Sequence, residues 1–162
     1  MMYSLRPIQV EDNAAIARII RQVSLECGLA ADEGFAVADP ILDNLYQVYH
    51  QPKAQYWVVV DEHNQAVGGG GYSPLQGDAT CLEIQKMYFL PCVRGYGLAA
   101  EILQRAFDFA TQQGFTQCYL ETTASLAQAV RLYEKMGFEH LQQPLGATGH
   151  SHACEIWMAK AV

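Results

Sequence analysis

Apolar and polar positions follow two rhythms along this chain. Ala15, Ile16, Ile19, Ile20 and Val23 recur at helical spacing, with capping chemistry ahead of them in Glu11-Asp12-Asn13 and a stop at Gly28. Tyr3 to Pro7 alternates like a short first strand that the proline ends. The stretch Gly34 to His50 carries Asp39-Pro40 and then a second amphipathic piece, Ile41, Leu42, Leu45, Val48 and Tyr49. The rhythm then shortens. Runs at Gln55–Val60, Ala66–Tyr72 and Ala79–Leu90 read as strands, joined by Asp61-Glu62-His63-Asn64 and by a turn around Gln76-Gly77-Asp78.

The helical period returns over Leu98, Ile102, Leu103, Ala106, Phe107 and Ala110 and ends at Gly114. A strand (Thr116–Glu121), a helix (Leu126–Met136, closed by Gly137) and two last strands (Phe138–Leu141 and Cys154–Met158) complete the order. An antiparallel meander, one βαβ unit and a terminal hairpin predict an α/β fold: a mixed sheet with helices on both faces. Within it, Gly68–Gly71 weakens a predicted strand, which calls for a close approach of backbone or ligand, or for a bulge.

Composition bounds the rest. A chain of 162 residues with no linker or repeat fits one domain over 1–162. A net charge of −7 argues against nucleic acid or an anionic membrane as the main partner. No apolar run approaches the ~18 residues of a membrane span, and the N-terminus lacks the pattern of a signal peptide. Five scattered cysteines without a Cys-x-x-Cys pair read as reduced thiols in a cytoplasmic protein. His150-Ser151-His152-Ala153-Cys154 has metal-competent side chains but no fourth ligand nearby, so no metal is expected.

The most informative stretch is Cys81 to Gly97. A strand stops at Pro91, and Val93-Arg94-Gly95-Tyr96-Gly97-Leu98-Ala99 leads into the long helix. Small residues and free N–H groups at a helix N-terminus seat a phosphate or pyrophosphate. Gly95-Tyr96-Gly97-Leu98-Ala99-Ala100 also satisfies G-x-G-x-x-G/A, the dinucleotide fingerprint. Its place past mid-chain, the gap after Pro91 and the hairpins before it weigh against a Rossmann site. A plain tight turn is the other alternative.

Arg94-Gly95-Tyr96-Gly97-Leu98-Ala99 resembles the R/Q-x-x-G-x-G/A acetyl-CoA loop of the GNAT-type N-acetyltransferases. Ala129-Val130-Arg131-Leu132-Tyr133-Glu134-Lys135-Met136-Gly137-Phe138 is similar to that family's A-x-x-L-Y-E-K-x-G-F segment, and Leu5-Arg6-Pro7…Glu11-Asp12 to its usual opening. The resemblance implies the GNAT fold, a mostly antiparallel twisted sheet with a βαβ acetyl-CoA-binding unit. It implies that the backbone of Val93, Arg94, Gly95, Tyr96, Gly97, Leu98 and Ala99 holds the pyrophosphate of acetyl-CoA, with a charged contact from Arg94. Met87, Tyr88 and Phe89 would pair with the pantetheine as an added strand, and the strand Cys118–Glu121 would splay away. Where the family often carries Asn this chain has Leu126, so a side-chain hydrogen bond to the cofactor is either missing or supplied by Thr123 or Ser125, unless Ser125 caps the helix.

A thioester needs no covalent enzyme intermediate. Attack by a primary amine needs a base for the ammonium and an acid for the leaving thiolate. Glu83, at a position matching a catalytic glutamate in some members, is the candidate base; Tyr133, matching the family tyrosine beside the sulfur, is the candidate acid. Alternation puts Lys86 on the face opposite Glu83. Glu121 is the alternative base or an acceptor-binding carboxylate. His150 would lie near the acceptor, and Asp39, Asp43 and Tyr46 could bind its ammonium, although ordinary capping also accounts for Asp39. The expectation is acetyl transfer to a small-molecule amine, an amino acid or polyamine-like compound, with a homodimer as a common assembly of the family. The alternatives are a peptide or protein acceptor and a non-catalytic acyl-CoA sensor.

Overall fold

The run Gln-Tyr-Trp-Val-Val-Val forms strand β2 (Gln55–Val60), and burial of Tyr56, Val58, Val59 and Val60 puts it inside a sheet rather than at an edge. The computed structural model describes residues 2–28, 40–149, 151 and 154–162. Its other strands are β1 (Ser4–Pro7), β3 (Ala66–Pro74), β4 (Cys81–Phe89), β5 (Gln117–Thr122), β6 (Glu139–His140) and β7 (Ile156–Ala161). They form one sheet in the order β1-β2-β3-β4-β5-β7-β6, in which only β4 and β5 run parallel. The helices are α1 (Asn13–Glu26), α2 (Leu45–Tyr49), α3 (Leu98–Gln113) and α4 (Ala127–Lys135). The meander, the single crossover through α3 and the terminal hairpin are the architecture that the apolar pattern predicts.

Both faces of the sheet are covered. Leu103, Ala106, Phe107 and Ala110 of α3 pack on Leu82, Ile84, Cys118, Leu120 and Met158. On the other face Ile16, Ile20, Leu42, Leu45 and Tyr49 pack on Tyr56 and Val58. Arg6 and the buried Asp12 fix the start of α1 against β1 through two hydrogen bonds of 2.7 and 2.9 Å.

The four glycines of β3 have a packing reason. A Cβ at Gly69 or at Gly71 would stand 2.6 Å from the Tyr56 ring, and one at Gly70 would collide with the Met87 sulfur. The β3–β4 register passes from Gly69↔Tyr88 to Gly71↔Gln85, so Gly70 faces both Lys86 and Met87. This is a β-bulge, with Lys86 at φ 54°. Tyr56 closes it by donating its hydroxyl to the Lys86 carbonyl at 2.9 Å. Both expected causes, bulge and close approach, therefore act together. Period-two alternation breaks at Lys86, so the face assigned to that residue by counting from Glu83 no longer follows.

Candidate active site

Strands β4 and β5 pair only over Cys81↔Gln117, Leu82↔Cys118 and Glu83↔Tyr119. Beyond Glu83, β4 runs on to Phe89 while β5 turns to β7, with which it pairs as far as Thr122↔Ile156. The sheet opens here as a fork, and Glu83 sits at its base. The bulge at Lys86 lies on the free arm and redirects the backbone of Met87, Tyr88 and Phe89.

A cavity of about 670 Å³ follows that arm. Met87, Tyr88 and Phe89 form one wall, and Val93, Arg94, Gly95, Gly97, Leu98 and Ala99 form its end. The opposite wall comes from Ser125, Leu126, Ala129, Leu132 and Tyr133, and the floor from Val23 and Cys27 at the end of α1. Gly95 (φ 86°) and Gly97 (φ 77°) turn the chain into α3 through the left-handed region. The first bond into α3 runs from Glu101 N–H to Gly97 O at 3.1 Å, so the N–H groups of Leu98, Ala99 and Ala100 have no intrahelical acceptor. An ideal Cβ at Gly95 or Gly97 meets nothing within 4 Å, so the loop faces open space. Free donors at the positive end of a 16-residue helix, beside a long apolar-walled cavity, fit a pyrophosphate with an extended tail.

The side chains of two residues of this loop make contacts of their own. Tyr96 does not line the cavity; it is 56% exposed, with its ring edge-on to Tyr3 at 4.9 Å. Arg94 donates to the Phe89 carbonyl and to Glu26 of α1, each at 3.0 Å, so part of its charge braces the loop. Ser125 lies on the cavity wall and does not cap α4, whose N-cap is Leu126 without a side-chain bond; the capping alternative is corrected. Thr123 is buried and donates to Glu155 at 3.1 Å.

Tyr133 is buried at the cavity wall, and burial, reinforced by the Tyr88 phenol, raises its pKa well above the ordinary tyrosine value. Burial likewise pushes Tyr88 up to about 12, with the Ser24 hydroxyl beside it pulling the other way. Both phenols stay protonated at neutral pH. Glu83, 4% exposed, accepts a hydrogen bond from Gln85 Nε2 at 2.6 Å. Tyr133 belongs to the apolar cluster on the α3 side, whereas Gln85 is bonded to Tyr49 of α2 on the other face. Acid and base candidates thus approach the fork from opposite faces of the sheet.

Residues 23–138 match the Acetyltransferase (GNAT) family model. The chain belongs to the GNAT acetyltransferase family. It is 54% identical to the uncharacterized N-acetyltransferase YjgM of Escherichia coli (strain K12), over 96% of this chain and 93% of the relative. N-acetylaspartate synthetase of Rattus norvegicus is 31% identical over 78% of this chain, which spans 38% of that relative. The fold superposes on an acetyltransferase of the GNAT family from Staphylococcus aureus Mu50 with a TM-score of 0.86, at 17% identity and 99% coverage of each chain. These relationships make the protein an acyltransferase, a GNAT-type N-acetyltransferase.

At the end of β5, Glu121 is heavily engaged. Its Oε1 accepts the Thr148 hydroxyl at 2.6 Å, and its Oε2 accepts the hydroxyls of Tyr119 (2.6 Å) and Ser151. With Leu145 N–H donating to the Tyr119 oxygen at 3.0 Å, this carboxylate anchors the loop between β6 and β7. Asp43 is held by two Arg21 bonds of 2.8 Å. Asp39, His150 and His152 lie outside the described residues. Among the described residues, no group of three His, Cys, Asp or Glu side chains could hold a metal ion. Likewise, no helix is long and apolar enough to cross a membrane.

Sequence reasoning missed Gln85, Tyr49 and Cys27. Gln85 carried a signal in its two-residue offset from Glu83 on one strand. Tyr49 reads as a core position of α2, and Cys27 as the frayed end of α1; neither pattern says that three-dimensional packing brings it to the site.

Proposed function

We propose that this GNAT protein transfers the acetyl group of acetyl-CoA to the primary amine of a small molecule, an amino acid or polyamine-like compound, in the cytoplasm. The observation that carries the reading is the forked sheet with Glu83 at its base, beside a cavity that runs from the free N–H groups of α3 to Tyr133. The residues fit the co-substrate. The N–H groups of Leu98, Ala99 and Ala100 and part of the Arg94 charge receive the pyrophosphate. The edge of β4 from Met87 to Phe89, which is not paired with β5, receives the pantetheine amides, its Phe89 carbonyl being already held by Arg94, and Ser125 adds a hydroxyl to the far wall. When bound, acetyl-CoA supplies an activated thioester.

The chain's own groups then handle two protons. Glu83 takes one from the acceptor ammonium, since a primary alkylamine is mostly protonated at pH 7. It is preferred to Glu121, whose two oxygens already accept three hydroxyl bonds. The freed amine attacks the thioester carbon. As the carbon–sulfur bond breaks, the Tyr133 phenol gives a proton to the sulfur, so that CoA leaves as a thiol. The phenol regains a proton, directly or through water, from the nitrogen that becomes the amide. That an N-acetylaspartate synthetase is among the relatives supports an amino-acid acceptor.

Thiol release from acetyl-CoA across a panel of amino acids, polyamines and short peptides tests this reading. Amine-dependent release that falls at least ~100-fold in Glu83→Gln is expected, in the range of lost general-base catalysis. Release that requires peptides alone would move the acceptor class, and CoA binding without any release would make the protein a sensor.

A further inference from the structure

Gln85 and Glu83 lie two apart on β4 and share a face. Gln85 Nε2 donates to Glu83 Oε1 at 2.6 Å, while the Tyr49 hydroxyl donates to Gln85 Oε1 at 2.6 Å. The second bond determines the first. With the amide oxygen committed to the phenol, the NH₂ group is turned toward the carboxylate. Tyr49 is itself well fixed, since it is 4% exposed and its ring lies 5.2 Å from that of Tyr56. A chain of two short hydrogen bonds therefore runs from helix α2 through the arm of the fork to its base.

An amide neither gains nor loses a proton at working pH, so Gln85 cannot serve as acid or base. We propose that Gln85, oriented by Tyr49, is a positioning residue that holds the Glu83 carboxylate in place at the base of the fork. The inference rests on the reading of Glu83 as the base. A donor aimed at a carboxylate favours its ionised form, which opposes the effect of burial. Other titratable groups face Glu83 as well. Tyr119 stands opposite it on β5, its own pKa raised first by burial and then by its bond to Glu121. A protonated Tyr119 brings no charge, and Glu121 behind it is a like charge that leaves the Gln85 donor more important.

The test reads the carboxyl directly and needs no acceptor. Protein labelled with ¹³C at glutamate carboxyls is titrated by NMR, and the Glu83 signal is the one missing from Glu83→Gln. Gln85→Leu is expected to raise the proton affinity of Glu83 about tenfold, as loss of one hydrogen bond to the charged form does. Tyr49→Phe, which keeps the ring packing, is expected to move it in the same direction by less. An unmoved midpoint in Gln85→Leu overturns the proposal; should that variant fail to fold, an unmoved midpoint in Tyr49→Phe does so. The underlying reading is tested separately by thiol release with the amine panel. Wild-type turnover in Glu83→Gln removes the base and the proposal together. Lost turnover in Glu83→Gln with an unmoved midpoint in Gln85→Leu removes the positioning role alone.

Discussion

A buried phenol beside a second, partly buried phenol has little tendency to ionise, and that sets how Tyr133 can act. Its raised pKa means the neutral form persists to higher pH than for a free tyrosine, so the proton needed for the proposed acid role is present across the working range. Donation to a thiolate whose own pKa is near ~8.5 is uphill until the carbon–sulfur bond is largely broken, which confines the benefit to the transition state. Tyr133→Phe is therefore expected to lower kcat at least ~10-fold with little change in the KM for acetyl-CoA. The sign of the shift adds a second expectation. Activity that depends on Tyr133 should not fall as pH rises through 10, and phenolate absorbance up to that pH should match in wild type and Tyr133→Phe. A fall specific to the wild type, with an extra phenolate titrating there, would place the phenol in water rather than at the cavity wall. At the same scale, Gly97 needs its left-handed φ of 77° but has open space around it. Gly97→Ala should cost about 1–2 kcal/mol of stability from backbone strain alone, read from urea unfolding.

At the scale of elements, the order of strands and helices was legible because their periods differ, and the loop before α3 was legible from its glycines and its proline. The fork was expected through family resemblance alone, since parting of two parallel strands leaves no mark in the alternation of either. The bulge at Lys86 was hidden for a related reason. Counting by twos assumes an unbroken ladder, and the compensating signal sat on the neighbouring strand as Gly68–Gly71. Glu121 read as a catalytic candidate because its hydroxyl partners, Thr148 and Ser151, come from a loop about thirty residues away. The bulge yields its own test. Gly69→Ala puts a methyl 2.6 Å from the Tyr56 ring and 2.8 Å from the Trp57 carbonyl, neither of which is a free end that can swing away. Overpacking of that kind costs about 1–3 kcal/mol. Tyr56→Phe keeps the ring and removes the bond to the Lys86 carbonyl, an expected loss of about 1 kcal/mol. If the bulge shapes the cavity wall at Met87, Gly69→Ala should also weaken CoA binding in calorimetry. A destabilised variant with wild-type CoA affinity would separate the bulge from the cavity.

Across the whole molecule, the cavity joins segments far apart in the chain: the end of α1 at Val23 and Cys27, the β4 arm and loop from Met87 to Ala100, and the wall from Ser125 to Tyr133. The protein already has one covalently distant tie there, the Arg94–Glu26 ion pair at 3.0 Å, but its partners are over a third exposed and such pairs contribute little. A ligand filling the cavity would bridge the same segments far more extensively, and binding only the folded state must raise its stability. At a free CoA concentration of 100 times Kd the gain is about 2.7 kcal/mol. For a domain of this size that corresponds to roughly 5–11 °C in Tm. Glu26→Ala should lose little stability without CoA, while Gly97→Ala should show a smaller CoA-dependent rise than the wild type if the loop it alters receives the pyrophosphate, as proposed. NAD at the same concentration should leave Tm unchanged. A rise with NAD and none with CoA would mean that the glycine loop serves a dinucleotide and that the cavity along β4 holds something other than pantetheine.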